Sequence, residues 1–244
     1  MPEGPSIIIA KNAAKHFIGK KVIAAAGNAK IDVSRLENKK LIDIKTWGKH
    51  LLLCFDGFTV RIHFLLFGTY FIDQTKNALL RLGLTFKNGE FNIYTAAVTV
   101  LEGNVADHYD FTADVMNDTW NPASAKAKLA DVPNKQVCDA LLEQDIFSGV
   151  GNIIKNEVLY RVHVHPESLV GSIPPDVLDS VVTEARNYSF DFLHWKEKDE
   201  LKKHWLAHSK KVCKRCDLPL YKEYTGVKKR RSFFCTNCQV LYKE

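Results

Sequence analysis

Short apolar runs at strand spacing fill the chain from about residue 20 to residue 105. Val22-Ile23, LIDIKTW, HLLLCF, FTVRIHFLLF, TYFID, LRLGLTF and FNIYTAAVTVL are each rich in β-branched or aromatic side chains. Asp56-Gly57, Lys87-Asn88-Gly89 and Glu102-Gly103 punctuate them as turns. Many short strands at this spacing predict an antiparallel sandwich or flattened barrel. Residues 6–18 read differently. Ile9, Ala13 or Ala14 and Phe17 recur at helical spacing, so a helix is expected ahead of the strands.

From about 106 to 133 the chain is polar, with Asn117-Asp118 and Asn121-Pro122, and reads as a loop connecting two domains. The period then becomes helical. Val137, Cys138, Leu141 and Leu142 share one face, and Val177, Leu178, Val181, Val182, Ala185 and Phe192 share another. Between these two segments lies the run from Phe147 to Lys155, FSGVGNIIK. Its two glycines permit a tight turn and a close backbone approach, and Asn152 opens a further helix. Free amides at a helix start, with an asparagine side chain beside them, can hold a phosphate. A DNA-binding helix-hairpin-helix would read this way, and so would a plain interhelical turn.

Chemistry enters most clearly near the C-terminus. Cys213, Cys216, Cys235 and Cys238 form two C-x2-C pairs, spaced to hold one tetrahedral structural Zn2+ in a zinc ribbon. The alternative, two disulfides, belongs to a secreted domain. The opening MPEGPSIIIAK carries no signal-peptide pattern, so a soluble intracellular, cytoplasmic or nucleoid-associated, setting is expected. Between the cysteine pairs lies Lys228-Lys229-Arg230-Arg231, and a metal-pinned hairpin presenting four cations suits phosphates. Cys54 and Cys138 sit in apolar surroundings and are expected to be buried.

Composition narrows the picture further. The 244 residues are 46% apolar and 25% charged, an ordinary globular balance, and no apolar run suits a membrane span. The net charge of +6 is uneven: residues 201–244 carry +9 and residues 1–200 carry −3. That asymmetry points to a polyanionic partner at the C-terminal end.

The N-terminus offers a nucleophile. A residue as small as Pro2 usually permits removal of the initiator Met, exposing a secondary amine. An α-amine has a pKa of about 8, against about 10.4 for lysine. Such an amine can attack a sugar C1′ to form an iminium, with Glu3 shuttling protons. In isolation the same residues read as an ordinary chain start.

Taken in order, Pro2-Glu3-Gly4-Pro5, LLEQDIFSGVGNIIKNEVLYR and the four-cysteine ribbon resemble the formamidopyrimidine-DNA glycosylase / endonuclease VIII family over essentially the whole chain. The resemblance implies an α+β multidomain fold. An N-terminal helix and antiparallel β-sandwich (1–118) would be followed by a helix-two-turn-helix domain (119–205) and a zinc ribbon (206–244). It implies a bifunctional enzyme that flips a damaged base from the duplex, cleaves its glycosidic bond and nicks the strand. Pro2 would be the Schiff-base nucleophile, Glu3 the general acid/base, and Lys49 the hairpin lysine that contacts phosphate. Leu66, flanked by Leu65 and Phe67, would fill the gap left by the flipped nucleotide; a buried strand continuation is the alternative for that apolar run. Asn152 and Arg230, with Arg231 as second choice, would contact phosphates.

One position departs from the pattern. Ser6 stands where many members have a glutamate that helps position the deoxyribose. The opening Pro2-Glu3-Gly4-Pro5 resembles the endonuclease VIII branch, which implies a preference for oxidised pyrimidines; the sister branch prefers oxidised purines. A non-catalytic damage-binding protein on the same scaffold would keep the ribbon, Asn152 and the basic stripe, and would have no need of Pro2, Glu3 and Lys49. A zinc-ribbon protein-interaction module leaves the N-terminal half unexplained. Damaged duplex DNA is the expected partner and a monomer the expected state.

Overall fold

The computed structural model describes residues 2–243; Met1, with its expected removal, and Glu244 lie outside the described residues. The chain divides into two compact units, one ending at Asp110 and the other starting at Phe111. No helix among the described residues is long and apolar enough to cross a membrane.

The first unit opens with α1 (Gly4–Ala14), whose first turn contains Pro5. Proline suits that position because its missing N–H would have no intrahelical partner there. Ile7, Ala10 and Ala14 form the buried face of α1. A single 3-10 turn then buries Phe17, stacked on Phe86 with ring centroids 4.5 Å apart.

Six strands follow: β1 (Val22–Ala26), β2 (Asp43–Trp47), β3 (His50–Phe55), β4 (Phe58–Ile72), β5 (Leu80–Phe86) and β6 (Gly89–Glu102). They form one antiparallel sheet in the order β1-β5-β6-β4-β3-β2. The long strands β4 and β6 carry the chain from one half of the sheet to the other. The first half of β4 pairs with β3 and with the end of β6, whereas the start of β6 pairs with β5. Ile44, Leu51, Val60 and Ile62 from one half join Leu82, Leu84, Phe91 and Ile93 from the other, with Ile7 of α1, in a single apolar core. Strands long enough to turn a corner build a two-layered core from one continuous ladder.

The runs 58–67 and 69–73 read as separate strands in sequence but belong to the single strand β4. Its pairing with β6 is interrupted between Phe64 and Thr69. Residues 65–68 there oppose Thr95 alone, which takes a left-handed φ of 52°.

In the second unit, the polar stretch expected to be loop contains α2 (Pro122–Ala130). The Asn121 side chain accepts hydrogen bonds from the Ala123 and Ser124 N–H groups, at 3.0 and 3.1 Å, and caps the helix. Ala125 and Leu129 are its buried pair, too few to give a visible period. Then come α3 (Val137–Ala140), α4 (Asn152–Arg161) and the long α5 (Pro175–Glu197), with α4 packed on α5. The unit ends in a hairpin of β7 (Tyr221–Thr225) and β8 (Arg230–Phe234).

Helix α4 buries three consecutive polar residues, Lys155, Asn156 and Glu157, at 0%, 2% and 0% exposure. A buried carboxylate is tolerated when N–H groups surround it. The two oxygens of Glu157 accept the N–H groups of Leu206, Ala207 and His208 at 2.9, 2.9 and 2.7 Å. Glu157→Ala strands those amides and is expected to destabilise the second unit by about 3 kcal/mol, taking hydrogen bonds to a charged group at their usual worth. Chemical denaturation followed by tryptophan fluorescence checks this, and an unchanged midpoint would contradict it.

Candidate nucleic-acid interface

Each unit carries its own share of the residues singled out in the sequence. In the first, Pro2 is half-buried ahead of α1 and Glu3 is buried at its N-cap position. The Glu3 carbonyl accepts the Ser6 N–H at 2.8 Å and so closes the first helical turn. Lys49 sits half-exposed in the tight turn between the paired Trp47 and His50.

Beside that turn lies an aromatic and basic cluster. The His50 and His63 rings meet edge to face at 5.3 Å, and His50 Nδ1 lies 3.1 Å from the Tyr109 hydroxyl. Trp47 packs on Tyr109 and donates from Nε1 to the Asp110 carbonyl at 2.9 Å. Burial, reinforced by His63, Arg61 and Lys49, pushes the pKa of His50 down from 6.5 to about 4. Burial, with Lys49 and Arg61, also lowers His63. Near neutral pH the positive field here therefore comes from Lys49 and Arg61, with both imidazoles uncharged.

Leu65, Leu66 and Phe67 project from the interrupted part of β4 at 45%, 57% and 80% exposure, so a buried strand continuation does not hold for them. A side chain at Gly68 would meet Phe64 Cβ at 2.8 Å and the Thr95 carbonyl at 2.9 Å. Only glycine lets the chain return to the ladder so tightly, and this pushes the three apolar residues outward.

In the second unit Asn152 is the first residue of α4, and its Nδ2 donates to the Arg231 carbonyl at 3.0 Å. The structure thus joins two of the expected contact residues directly. Arg230 opens β8, and Arg231 is exposed, with its guanidinium donating to the Tyr224 hydroxyl at 2.8 Å.

The four cysteines of the ribbon converge. Their Sγ atoms all lie within 4.8 Å of one another, and Cys213 and Cys238 are 3.7 Å apart. Every cysteine of the chain is a free thiol, so the disulfide alternative does not apply. Four sulfurs around a tetrahedral ion at zinc–thiolate bond lengths would sit about 3.8 Å apart, so the cluster fits such a metal. Of the other two cysteines, Cys138 is buried and Cys54 only half-buried, at the outer part of β3.

The hairpin tip is fixed by the buried Asp139 of α3, whose carboxylate accepts the Val227 and Lys228 N–H groups at 2.6 and 3.3 Å. It packs so closely that a Cβ on Gly226, which also has a φ of +75°, would lie 2.4 Å from one of its oxygens. Asp139, Lys155 and Asn156 escaped the sequence reading. The run Lys155-Asn156-Glu157 carried a signal nonetheless, since three successive polar residues cannot all face solvent on a helix buried on most sides.

Comparison with known proteins bears on this arrangement. Residues 111–188 match the formamidopyrimidine-DNA glycosylase H2TH domain. Endonuclease 8-like 3 of Xenopus laevis is 25% identical over 89% of this chain, which spans only 38% of that relative's length. Formamidopyrimidine-DNA glycosylase of Lactobacillus helveticus is 26% identical over 86% of this chain and 85% of its own. The Lactococcus lactis formamidopyrimidine-DNA glycosylase, solved non-covalently bound to DNA containing an AP site, superposes with a TM-score of 0.85. That match has 19% identity and covers 97% of this chain and 99% of that one. Fold and ribbon together define a helix-two-turn-helix protein with a four-cysteine zinc-finger module. The matched domain, these relatives and the shared fold all support a place for the chain in the formamidopyrimidine-DNA glycosylase / endonuclease VIII family.

His50 generates a pH prediction. Its folded pKa lies below its unfolded one, so protons favour the unfolded state. Stability of the first unit is complete above about pH 6.5 and declines as the pH falls toward about 4, with His63 acting in the same direction. Thermal melts across this window should flatten in His50→Phe; an equally steep decline in the variant would contradict the assignment.

Proposed function

We propose that the protein is a bifunctional DNA glycosylase and AP lyase of base excision repair. The observation that carries this reading is Glu3, buried at the head of α1 beside the half-buried Pro2, in a chain of this family. A damage-binding protein without chemistry would have no use for a carboxyl buried next to the chain's first candidate amine.

Once Met1 is removed, the Pro2 nitrogen forms a bond to C1′ of the flipped nucleotide. The glycosidic bond breaks with its electron pair leaving on the base, which takes up the proton that the Pro2 nitrogen loses. Glu3 delivers the proton to the deoxyribose ring oxygen as the ring opens, leaving an iminium between Pro2 and C1′. Loss of a C2′ proton then expels the 3′ phosphate by β-elimination, and a second elimination would expel the 5′ phosphate. Lys49 supplies a cation for phosphate near the reacting sugar. Leu66, with Leu65 and Phe67, fills the space left by the flipped base; the outward projection of these residues supports that role.

Asn152 holds a backbone phosphate with the Nδ2 hydrogen not donated to Arg231, and Arg230 holds another, with Arg231 as the alternative. Zn2+ is the metal that the four thiolates suit, and its part is structural. Damaged duplex DNA is the substrate and one chain suffices, because both sets of residues lie on it. Oxidised pyrimidines are the preferred lesions on this reading, supported by the opening Pro2-Glu3-Gly4-Pro5 and by similarity to endonuclease 8-like relatives. Similarity to formamidopyrimidine-DNA glycosylase over most of both chains keeps oxidised purines as the second reading.

Borohydride reduction on a duplex with an abasic site should trap a covalent complex, with the adduct mapping to Pro2. Protein lacking Met1 that binds the DNA yet gives no adduct would leave only the non-catalytic reading. Glu3→Gln should block base excision and retain part of the incision at a preformed abasic site. Arg230→Ala should weaken binding irrespective of sequence and lower the slope of log affinity against log salt by about 0.9, the loss of one phosphate contact. Equal binding at every salt concentration would remove Arg230 from that role. Chelation of the metal should unfold the ribbon and abolish DNA binding together.

A further inference from the structure

A two-stranded hairpin leaves the outer edge of each strand unpaired. In an antiparallel pair, alternate residues of a strand turn both backbone groups away from the partner. On β8 those residues are Arg231 and Phe233: the Arg231 carbonyl and the Phe233 N–H both point toward α4. One side chain meets both. Asn156 Oδ1 accepts the Phe233 N–H at 2.9 Å, and Asn156 Nδ2 donates to the Arg231 carbonyl at 3.2 Å. Its primary amide offers a donor and an acceptor as a peptide group does, so it takes the place of a third strand on this edge.

Neighbours on α4 reinforce the join. Asn152 Nδ2 and Lys155 Nζ donate to the same Arg231 carbonyl at 3.0 and 3.3 Å, and Lys155 Nζ also donates to Ser232 Oγ at 2.8 Å. The Asn156 amide is held in turn, since Nδ2 lies 2.7 Å from the Asn152 carbonyl one helical turn back. Asn156 is itself 2% exposed, out of reach of any ligand in solvent. Its bonds link the residue that opens α4 to the strand that carries both arginines.

We propose that Asn156 is a positioning residue for DNA phosphate recognition, setting Arg230 and Arg231 of the ribbon relative to Asn152 of α4. The proposal rests on the reading of Asn152 and Arg230 as phosphate contacts. On this arrangement the helix-turn motif and the ribbon grip the backbone as one unit. All four candidate ligands lie in the ribbon and none on α4, so a metal held there would not itself tie β8 to α4.

The test uses the full zinc-loaded chain and a labelled duplex carrying a tetrahydrofuran abasic analogue, titrated at several salt concentrations. Asn156→Ala should bind about tenfold more weakly, as expected when one charge-assisted contact to a phosphate is misplaced. Zinc content should stay at the parent's value and the variant should remain folded at the assay temperature, with a lowered melting temperature from the buried hydrogen bonds lost, and the salt slope should fall by about 0.9. Asn156→Asp keeps an acceptor for Phe233 and sets an oxygen against the Arg231 carbonyl, so it should weaken binding at least as much while guarding against a simple packing defect. In an Arg230→Ala background, Asn156→Ala should add less than about twofold, because its effect passes through the arginine.

Full additivity with Arg230→Ala, or loss of binding only together with loss of zinc, would overturn the proposal. Should the parent itself fail to bind this duplex, the functional reading falls and not the join. Hydrogen exchange then decides: the Phe233 amide should be protected in the parent and exposed in Asn156→Ala, and equal protection in both overturns the positioning role.

Discussion

The second unit depends on a helix that buries polar side chains where apolar ones would be expected. Lys155, Asn156 and Glu157 lie in succession on α4, between the apolar Ile154 and Val158. Each takes up peptide groups that no regular element could satisfy: Glu157 those of 206–208, Asn156 and Lys155 those of β8. The apolar cluster beneath the ribbon is small, built on Tyr160, Ala207, Cys213, Leu220, Phe233 and Cys235. Apolar burial of this size would leave the ribbon free to slide. Hydrogen bonds are directional, and a slide of one residue along β8 would break all of them at once.

The first unit answers a different constraint. It has one large core and places its candidate chemistry at the margins of that core, at the head of α1, in the β2–β3 turn and where β4 breaks from β6. The same interruption that lets β4 cross between layers also expels Leu65, Leu66 and Phe67. Architecture and exposed apolar surface here share one cause, the close return of the chain at Gly68.

The legible parts of the sequence were those with repetition. Seven apolar runs became six strands, two of them merging in β4, the helical spacing around Val137 and from Val177 became α3 and α5, and two C-x2-C pairs became one cluster of sulfurs. Isolated signals were lost. Helix α2 has one buried apolar pair and is held by its Asn121 cap, and β4 read as two strands because its break resembles a turn. The β8 join was illegible for a deeper reason. Asn156 and Phe233 are 77 positions apart, and a side chain that imitates a peptide group leaves no pattern along the chain.

The Asp139 clamp on the hairpin tip bears on how association would proceed. With the Val227 and Lys228 amides bound and Gly226 wrapped around the carboxylate, the tip has its shape before any partner arrives. Lys228 is drawn back as well, its Nζ 3.1 Å from Glu143 and 3.3 Å from the Leu142 carbonyl. Val227 is left standing out at 93% exposure. A loop ordered in advance loses little conformational entropy on docking, so the hairpin behaves as a rigid body that a partner accepts or rejects by shape, and discrimination falls on the rate of departure.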